Sequence, residues 1–141
     1  MDYLMYEKQV NEIRKQNEKY LELFDQYLKR EGMSKKTIQK HISNIDFYIN
    51  KFLSYYEPST MERGCYEIDS FLGDWFIRKA MWSSCSAINS NCASIKKFYK
   101  VMLEYGFIKQ TDYHVLIDTI KTEKIHWLSV MEEYSDEEMN C

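Results

Sequence analysis

Three lysines and several small polar residues share one stretch, residues 84–106, SCSAINSNCASIKKFYKVMLEYG. The residues that could bind a ligand there are Asn89, Ser90, Lys96, Lys97 and Lys100. Ammonium groups and short hydrogen-bonding side chains are the groups with which proteins hold nucleic-acid phosphates. Phosphate binding is therefore the chemistry that this stretch favours. A solvated lysine face is the commoner explanation of such a pattern, and the sequence alone leaves both open.

A second stretch, residues 34–55, has the same design. Its polar side carries Lys35, Lys36, Gln39, Lys40, His41 and Asn44. The imidazole of His41 could also touch a phosphate. If the two stretches lie side by side, their six lysines form one basic surface.

The charge of the chain is unevenly distributed, although its net value is only −3. Residues 31–56 carry four lysines against two acidic residues, and residues 83–109 carry four lysines against one. Residues 110–141 instead hold eight acidic residues and two lysines. Local charge decides nucleic-acid binding more than net charge does, so the two basic stretches are the predicted contact elements.

Both basic stretches are predicted to be amphipathic helices, because their apolar residues recur at intervals of three and four. In the stretch 84–106 the apolar stripe runs from Ile88 to Met102. Ser84 is the expected N-cap, and Gly106 stands where a left-handed C-cap residue belongs. The other stretch is apolar at Ile38, Ile42, Ile45, Ile49 and Phe52.

The rest of the chain also indicates helices, so the predicted fold class is all-α. The sequence has four glycines, one proline and no alternating strand pattern. Residues 3–30 predict one long helix, or two that join near residues 15–17. Residues 57–64 form the clearest loop, and residues 66–81 predict a further helix in which Gly73 permits a close helix crossing.

Beyond Gly106, Thr111 is expected to cap a short helix that runs to Ile120. A last helical segment is expected at residues 125–134, before an acidic end. The predicted core consists of Phe24, Leu28, Ile38, Ile42, Ile45, Ile49, Phe71, Leu72, Trp75, Ile95, Phe98 and Met102.

Several classes of protein are disfavoured. No apolar run approaches the roughly 20 residues of a membrane span, and no signal peptide opens the chain, so a cytoplasmic location and no membrane partner are expected. Cys85 and Cys92 lie about 10 Å apart along one helix, too far for a disulfide between them. No metal-binding, nucleotide-binding or hydrolase motif occurs, so neither a metal nor a cofactor is expected.

Three segments in this order resemble the N-terminal core-binding domain of tyrosine recombinases and phage integrases. They are FDQYLKREGMSKKTIQKHISNIDFYINKF, then EIDSFLGDWFI, then SSCSAINSNCASIKKFYKVMLEYGFI. The family pattern has a glycine and a serine before a TI-containing helix, then an I..FL segment, then a helix with a basic residue before FY and a glycine at its end. The resemblance covers about Lys19 to Ile108.

The resemblance implies a SAM-like orthogonal four-helix bundle that clasps duplex DNA with its second and fourth helices toward the major groove. Residues 19–108 would form this domain, residues 1–18 an N-terminal helical extension, and residues 109–141 a C-terminal helical segment with an acidic tail. The implied DNA contacts are Ser34, Lys35, Lys36, Thr37 and Lys40 on the second helix, and Ser86, Asn89, Ser90, Lys96 and Lys97 on the fourth. Lys100 is added to these predicted contacts because it lies on the polar side of the stretch 84–106.

The chain departs from the family in one respect that bears on chemistry. Family members continue into a catalytic domain with an arginine–lysine–histidine–arginine set and a nucleophilic tyrosine. Only about thirty residues follow Ile108, too few for such a domain, and no arginine follows Arg78 to stabilise a phosphoryl transition state. We therefore expect no enzyme activity, although Tyr134 lies near the end.

Two hypotheses follow. The first is a non-catalytic module that binds double-stranded DNA weakly, related to a recombinase arm or to a remnant of a mobile element. The second is a helical interaction or dimerisation module that no longer binds DNA. In that case the acidic last segment, with Trp127 and Met131 on one side, would dock on a protein or on a second copy of the chain.

Overall fold

This computed structural model describes residues 2–135, which contain five successive helices, the turns and loops between them, and no strand. The helices are α1 (Tyr3–Arg30), α2 (Lys35–Asp46, continued by Phe47–Phe52), α3 (Ile68–Ser70, Phe71–Trp75 and Phe76–Lys79 in succession), α4 (Cys85–Glu104) and α5 (Gln110–Ser135). A short 3₁₀ turn, Met61–Cys65, precedes α3. The predicted all-α fold class is confirmed. None of these helices is long and apolar enough to cross a membrane.

The ends of the helices follow local sequence signals. The hydroxyl of Ser84 accepts a hydrogen bond from the Ala87 N–H at 3.0 Å, as expected of an N-cap. Gly106 has a φ of 79°, and its N–H donates to the carbonyl of Leu103 at 3.0 Å. Helix α1 ends in the same way, with a glycine of positive φ after its last residues, Gly32 at 76°. Both predicted caps of the helix over residues 84–106 are therefore confirmed.

The helices α2 and α3 each contain a π-helical turn, and the two turns pack against each other. In Phe47–Phe52 the N–H of Leu53 donates to the carbonyl of Tyr48, five residues back, at 3.0 Å. The turn over Phe71–Trp75 has the same hydrogen-bond spacing. The rings of Tyr48 and Phe71 lie 4.8 Å apart, centroid to centroid. Each wide turn rotates the side chains that follow it, a change that a regular helical period does not predict.

The core is one cluster of buried side chains from all five helices. Eleven of the twelve predicted core residues are buried, and the twelfth, Ile42, is half-buried at its edge. The buried cluster extends from Tyr20 to Met131 and includes Trp127, which is completely covered. Packing therefore makes α5 part of the same hydrophobic core as the helices before it.

The C-terminal third differs from the prediction. The structure has one continuous helix, Gln110–Ser135, in place of a short helix to Ile120 and a separate segment over residues 125–134. Thr111 lies inside α5 and does not cap it. The carboxylate of Asp112 instead accepts the backbone N–H of Lys109 at 2.9 Å, which satisfies one free donor at the helix start.

The expected close helix crossing at Gly73 is present, and its partner is α5. A Cβ atom added at Gly73 would lie 2.7 Å from Cδ1 of Trp127, so the crossing leaves no room for a larger residue. The Nε1–H of Trp127 donates to the carboxylate of Asp69 at 2.6 Å. Residues 3–30 form one unbroken helix, without a join near residues 15–17.

Candidate nucleic-acid interface

The two basic helices, α2 and α4, lie side by side and are joined by a polar seam. The Nδ1 atom of His41 and the hydroxyl of Ser94 share a hydrogen bond of 2.7 Å. The side-chain amide of Asn44 donates to the hydroxyls of Ser90 at 3.0 Å and Ser94 at 2.9 Å. These bonds orient the two helices, because buried polar groups stay unpaired in any other register.

His41 belongs to this seam and not to the surface. Only 6% of the residue is exposed, so the expectation that it touches a phosphate is wrong. Burial lowers the pKa of His41 first, and the ammonium groups of Lys97 and Lys40 lower it further. Both lysines therefore lie close enough to the same imidazole to affect its charge, one from each helix.

The outer side of α2 carries two of the predicted lysines. Lys36 and Lys40 are four residues apart and exposed, so they lie on the same side of α2. Lys35 is rotated by about 100° from Lys36, which places it on the flank of α2 away from α4.

The three lysines of α4 point in two directions. Lys97 lies toward α2, beside His41. Lys96 is about 100° further round, on the side of α5, since it and Lys124 both affect the thiol of Cys92. The ammonium of Lys100 lies 5.5 Å from the ring centroid of a tyrosine of α5, Tyr113. Lys96 and Lys100 therefore lie on the side of α5, and Lys97 on the side of α2.

We call the exposed sides of α2 and α4 with Lys36, Lys40 and Lys97 the basic face. Ser86 and Asn89 are exposed on the adjoining outer side of α4. Three salt bridges occur among the described residues, each between side chains four residues apart, and none involves a lysine of α2 or α4. The positive charge of the basic face is therefore available to a polyanion.

Three of the predicted polar contacts already have partners. The hydroxyl of Ser34 accepts the N–H of Thr37 at 3.2 Å and donates to the Thr37 hydroxyl at 3.0 Å, which caps α2. Ser90 is bonded to Asn44 across the seam. Ser94 was not among the predicted contacts, although a serine on the apolar side of α4 is a signal for a buried polar partner.

Two further observations concern metal and thiol chemistry among the described residues. No group of three or more His, Cys, Asp or Glu side chains among them is placed to hold a metal ion. Burial raises the pKa of the Cys65 thiol to about 12 and that of Cys92 to about 11, so both are protonated and unreactive at neutral pH. What the arrangement offers is charge and hydrogen bonding on one face.

Comparison of the chain with protein-family models, with curated proteins and with solved structures gives no match.

Proposed function

We propose that this chain is a non-catalytic module that binds duplex DNA through the basic face, in the manner of the recombinase core-binding domain that its sequence resembles. The observation that carries the proposal is the hydrogen-bonded seam between α2 and α4, which places Lys40 of one helix and Lys97 of the other around the same buried imidazole. Neither lysine forms a salt bridge with a described residue.

The binding is expected to be weak and independent of sequence. Lysine contacts to phosphate supply non-specific affinity, with dissociation constants of roughly micromolar or weaker at physiological salt. Acidic groups more than about 8–10 Å from the face are largely screened at physiological salt. The chain has only four arginines, the residue that best reads guanine edges.

Fluorescence anisotropy with a labelled blunt duplex over a range of salt concentrations tests the proposal. Changing Lys36, Lys40 or Lys97 to alanine should each lower the slope of log K against log salt by about one. Lys8→Ala and Lys121→Ala are matched controls on α1 and α5, where both lysines are exposed, and should leave the slope unaltered. Equal losses for all five variants, or no binding at low salt, would reject the basic face.

The proposal includes the absence of DNA cleavage and a cytoplasmic location. Incubation with supercoiled plasmid, with or without magnesium, should give neither nicks nor a covalent protein–DNA adduct. An adduct that disappears in Tyr134→Phe would show that the chain acts as an enzyme.

A protein-interaction module is the second candidate, and an exposed apolar residue of α5 favours it. Ile125 is 81% exposed on this helix. The predicted docking residues, Trp127 and Met131, are buried in the core, so that part of the prediction is wrong. Sedimentation analysis decides between the candidates, since a dimer that Ile125→Lys dissociates and that ignores DNA would favour interaction.

A further inference from the structure

A pocket of about 290 Å³ opens beside the basic face, between α2, α3, α4 and the turn that precedes α4. The lining residues that matter here are Ser43, Phe47, Lys51, Phe76, Trp82 and Asn91. Its volume suits a planar ring rather than a single water molecule. None of these residues belongs to the contacts predicted from the sequence.

The aromatic wall of the pocket is incomplete on its outer side. Trp82 is 57% exposed, although its ring centroid lies 5.0 Å from Phe47 and 6.3 Å from Phe76. Both contacts are edge-to-face, with interplanar angles of 70° and 77°. The indole is thus held in place from one side, and a planar ring that stacked on it would cover apolar surface that water now contacts.

One hydrogen-bond acceptor of a residue that lines the pocket, the side-chain oxygen of Asn91, receives no hydrogen bond from the described residues. The amide nitrogen of Asn91 donates to the Ala87 carbonyl at 2.9 Å, and this bond fixes the orientation of the amide, because a carbonyl can only accept. The Oδ1 atom of Asn91 is buried and has no hydrogen-bond partner among the described residues. The residue as a whole is only 3% exposed. A ligand that brought an N–H to this oxygen would remove the cost of an unpaired buried acceptor.

The pocket is continuous with the basic face. Ser43 lies about one turn beyond Lys40 and two beyond Lys36, on the same side of α2. Lys51, on the other rim, forms no salt bridge with a described residue. A phosphate backbone held on the basic face would therefore pass the mouth of the pocket.

We infer that this pocket binds one unpaired nucleobase of the nucleic acid that the basic face holds, an inference that rests on the proposed function. A nucleobase combines a flat face for Trp82 with N–H donors on its edge for Asn91, and it arrives attached to phosphates. An aliphatic protein side chain would leave the Asn91 oxygen unpaired. Lys51 on the rim disfavours an arginine side chain, although the carboxylate of Asp46 also lines the pocket and accepts a hydrogen bond from the Asn50 amide at 2.6 Å.

The test compares three DNA probes by fluorescence anisotropy at one low salt concentration. They are a blunt duplex, the same duplex with a short single-stranded adenine overhang, and the same overhang made of abasic nucleotides. The adenine overhang should bind about tenfold tighter than the blunt duplex, as expected for one stacked base. The abasic overhang should give no such gain over the blunt duplex, apart from the small effect of its extra phosphates.

Two variants separate the pocket from the basic face. Trp82→Ala and Asn91→Leu should each remove most of the tenfold gain and leave the affinity for the blunt duplex unchanged. Met81→Ala is the matched control, because Met81 precedes Trp82 and is 99% exposed, and it should keep the gain.

The possible results distinguish this inference from the proposed function. If the blunt duplex binds but both overhangs bind alike, or if Met81→Ala also loses the gain, the pocket assignment is overturned and the basic face stands. If no probe binds, both are rejected.

Discussion

His41 connects the pairing of the two basic helices with the charge of the basic face. Its ring is buried against Ser94, and the ammonium groups of Lys40 and Lys97 lie near it. Protonation would place a third positive charge in a site that is shielded from water, so the folded state favours the neutral ring. The same residue therefore makes the α2–α4 seam sensitive to pH.

The first prediction is that His41 destabilises the fold in acid. Its pKa in the folded state lies below the value of about 6.5 expected in the unfolded chain, so the unfolded chain binds the proton more readily. The contribution of His41 is fully present above the unfolded pKa and is lost as the pH falls below it. Urea unfolding at pH 7.5 and pH 5.0 should therefore show a larger loss of stability for the wild type than for His41→Gln.

Comparing the stability losses of these two proteins cancels the contribution of the carboxyl groups, because the same carboxyl groups titrate in both. His114→Gln, at an exposed position on α5, is the control and should behave like the wild type. Equal losses for the wild type and His41→Gln would contradict the prediction.

At the scale of elements, α1 is a clamp on the irregular end of α2. The side-chain amide of Asn17 donates to the carbonyl of Ile49 at 3.3 Å and to Oδ1 of Asn50 at 2.8 Å. Near the start of α1, the hydroxyl of Tyr6 donates to the carbonyl of Ser54 at 2.8 Å. Both carbonyls lie in or just after the π-helical turn, where the regular ladder of the helix is interrupted.

The second prediction follows from this clamp. Asn17 is almost completely buried, so Asn17→Ala should leave the Ile49 carbonyl without its donor and cost about 1–3 kcal/mol of unfolding free energy. Asn11→Ala, at an exposed position on the same helix, should change the stability by less than about 0.5 kcal/mol. Chemical denaturation measures both, and similar values for the two variants would show that α1 does not depend on this contact.

The third prediction concerns the crossing of α3 and α5. The Cβ atom of Gly73→Ala would press on the Trp127 ring, which is fully buried and bonded to Asp69. Overpacking of this kind costs about 1–3 kcal/mol, which outweighs the gain in helix propensity of about 1 kcal/mol. A thermal melt should show a lower midpoint for Gly73→Ala than for Ser70→Ala, an exposed neighbour on α3. A raised midpoint for Gly73→Ala would mean that the crossing is looser than the structure has it.

The elements that local rules determine were the ones that could be predicted. Ser84, Gly106 and the apolar stripes act within one or two turns, so a window of sequence contains their causes. The π-helical turns and the direct helical path through residues 121–124 depend on contacts with distant residues, such as Trp127 with Asp69. For the same reason the sequence could assign each lysine to a helix. It could not predict that Lys97 lies toward α2 and Lys96 toward α5, because that depends on how these helices pack.

In the whole molecule the basic and the acidic residues are concentrated on different helices, although all five helices contribute to one core. The basic face lies on α2 and α4, and residues 110–141 carry the acidic excess, yet α4 and α5 bury their apolar sides together. The predicted domain boundary between residues 108 and 109 falls within this shared core, so no boundary in packing corresponds to it among the described residues.

The last prediction is that residues 19–135 unfold as a single unit. Trp127 is fully buried among residues of the common core, so Trp127→Ala should lower the stability by about 3–5 kcal/mol, as Phe98→Ala in α4 should. Trp82→Ala, at a largely exposed position, should cost much less. Because one core unfolds in one step, urea curves from tryptophan fluorescence and from far-ultraviolet circular dichroism should coincide in the wild type. A fluorescence transition that precedes loss of the circular dichroism signal, or a Trp127→Ala chain with an unchanged main transition, would show that α5 is a separate appendage.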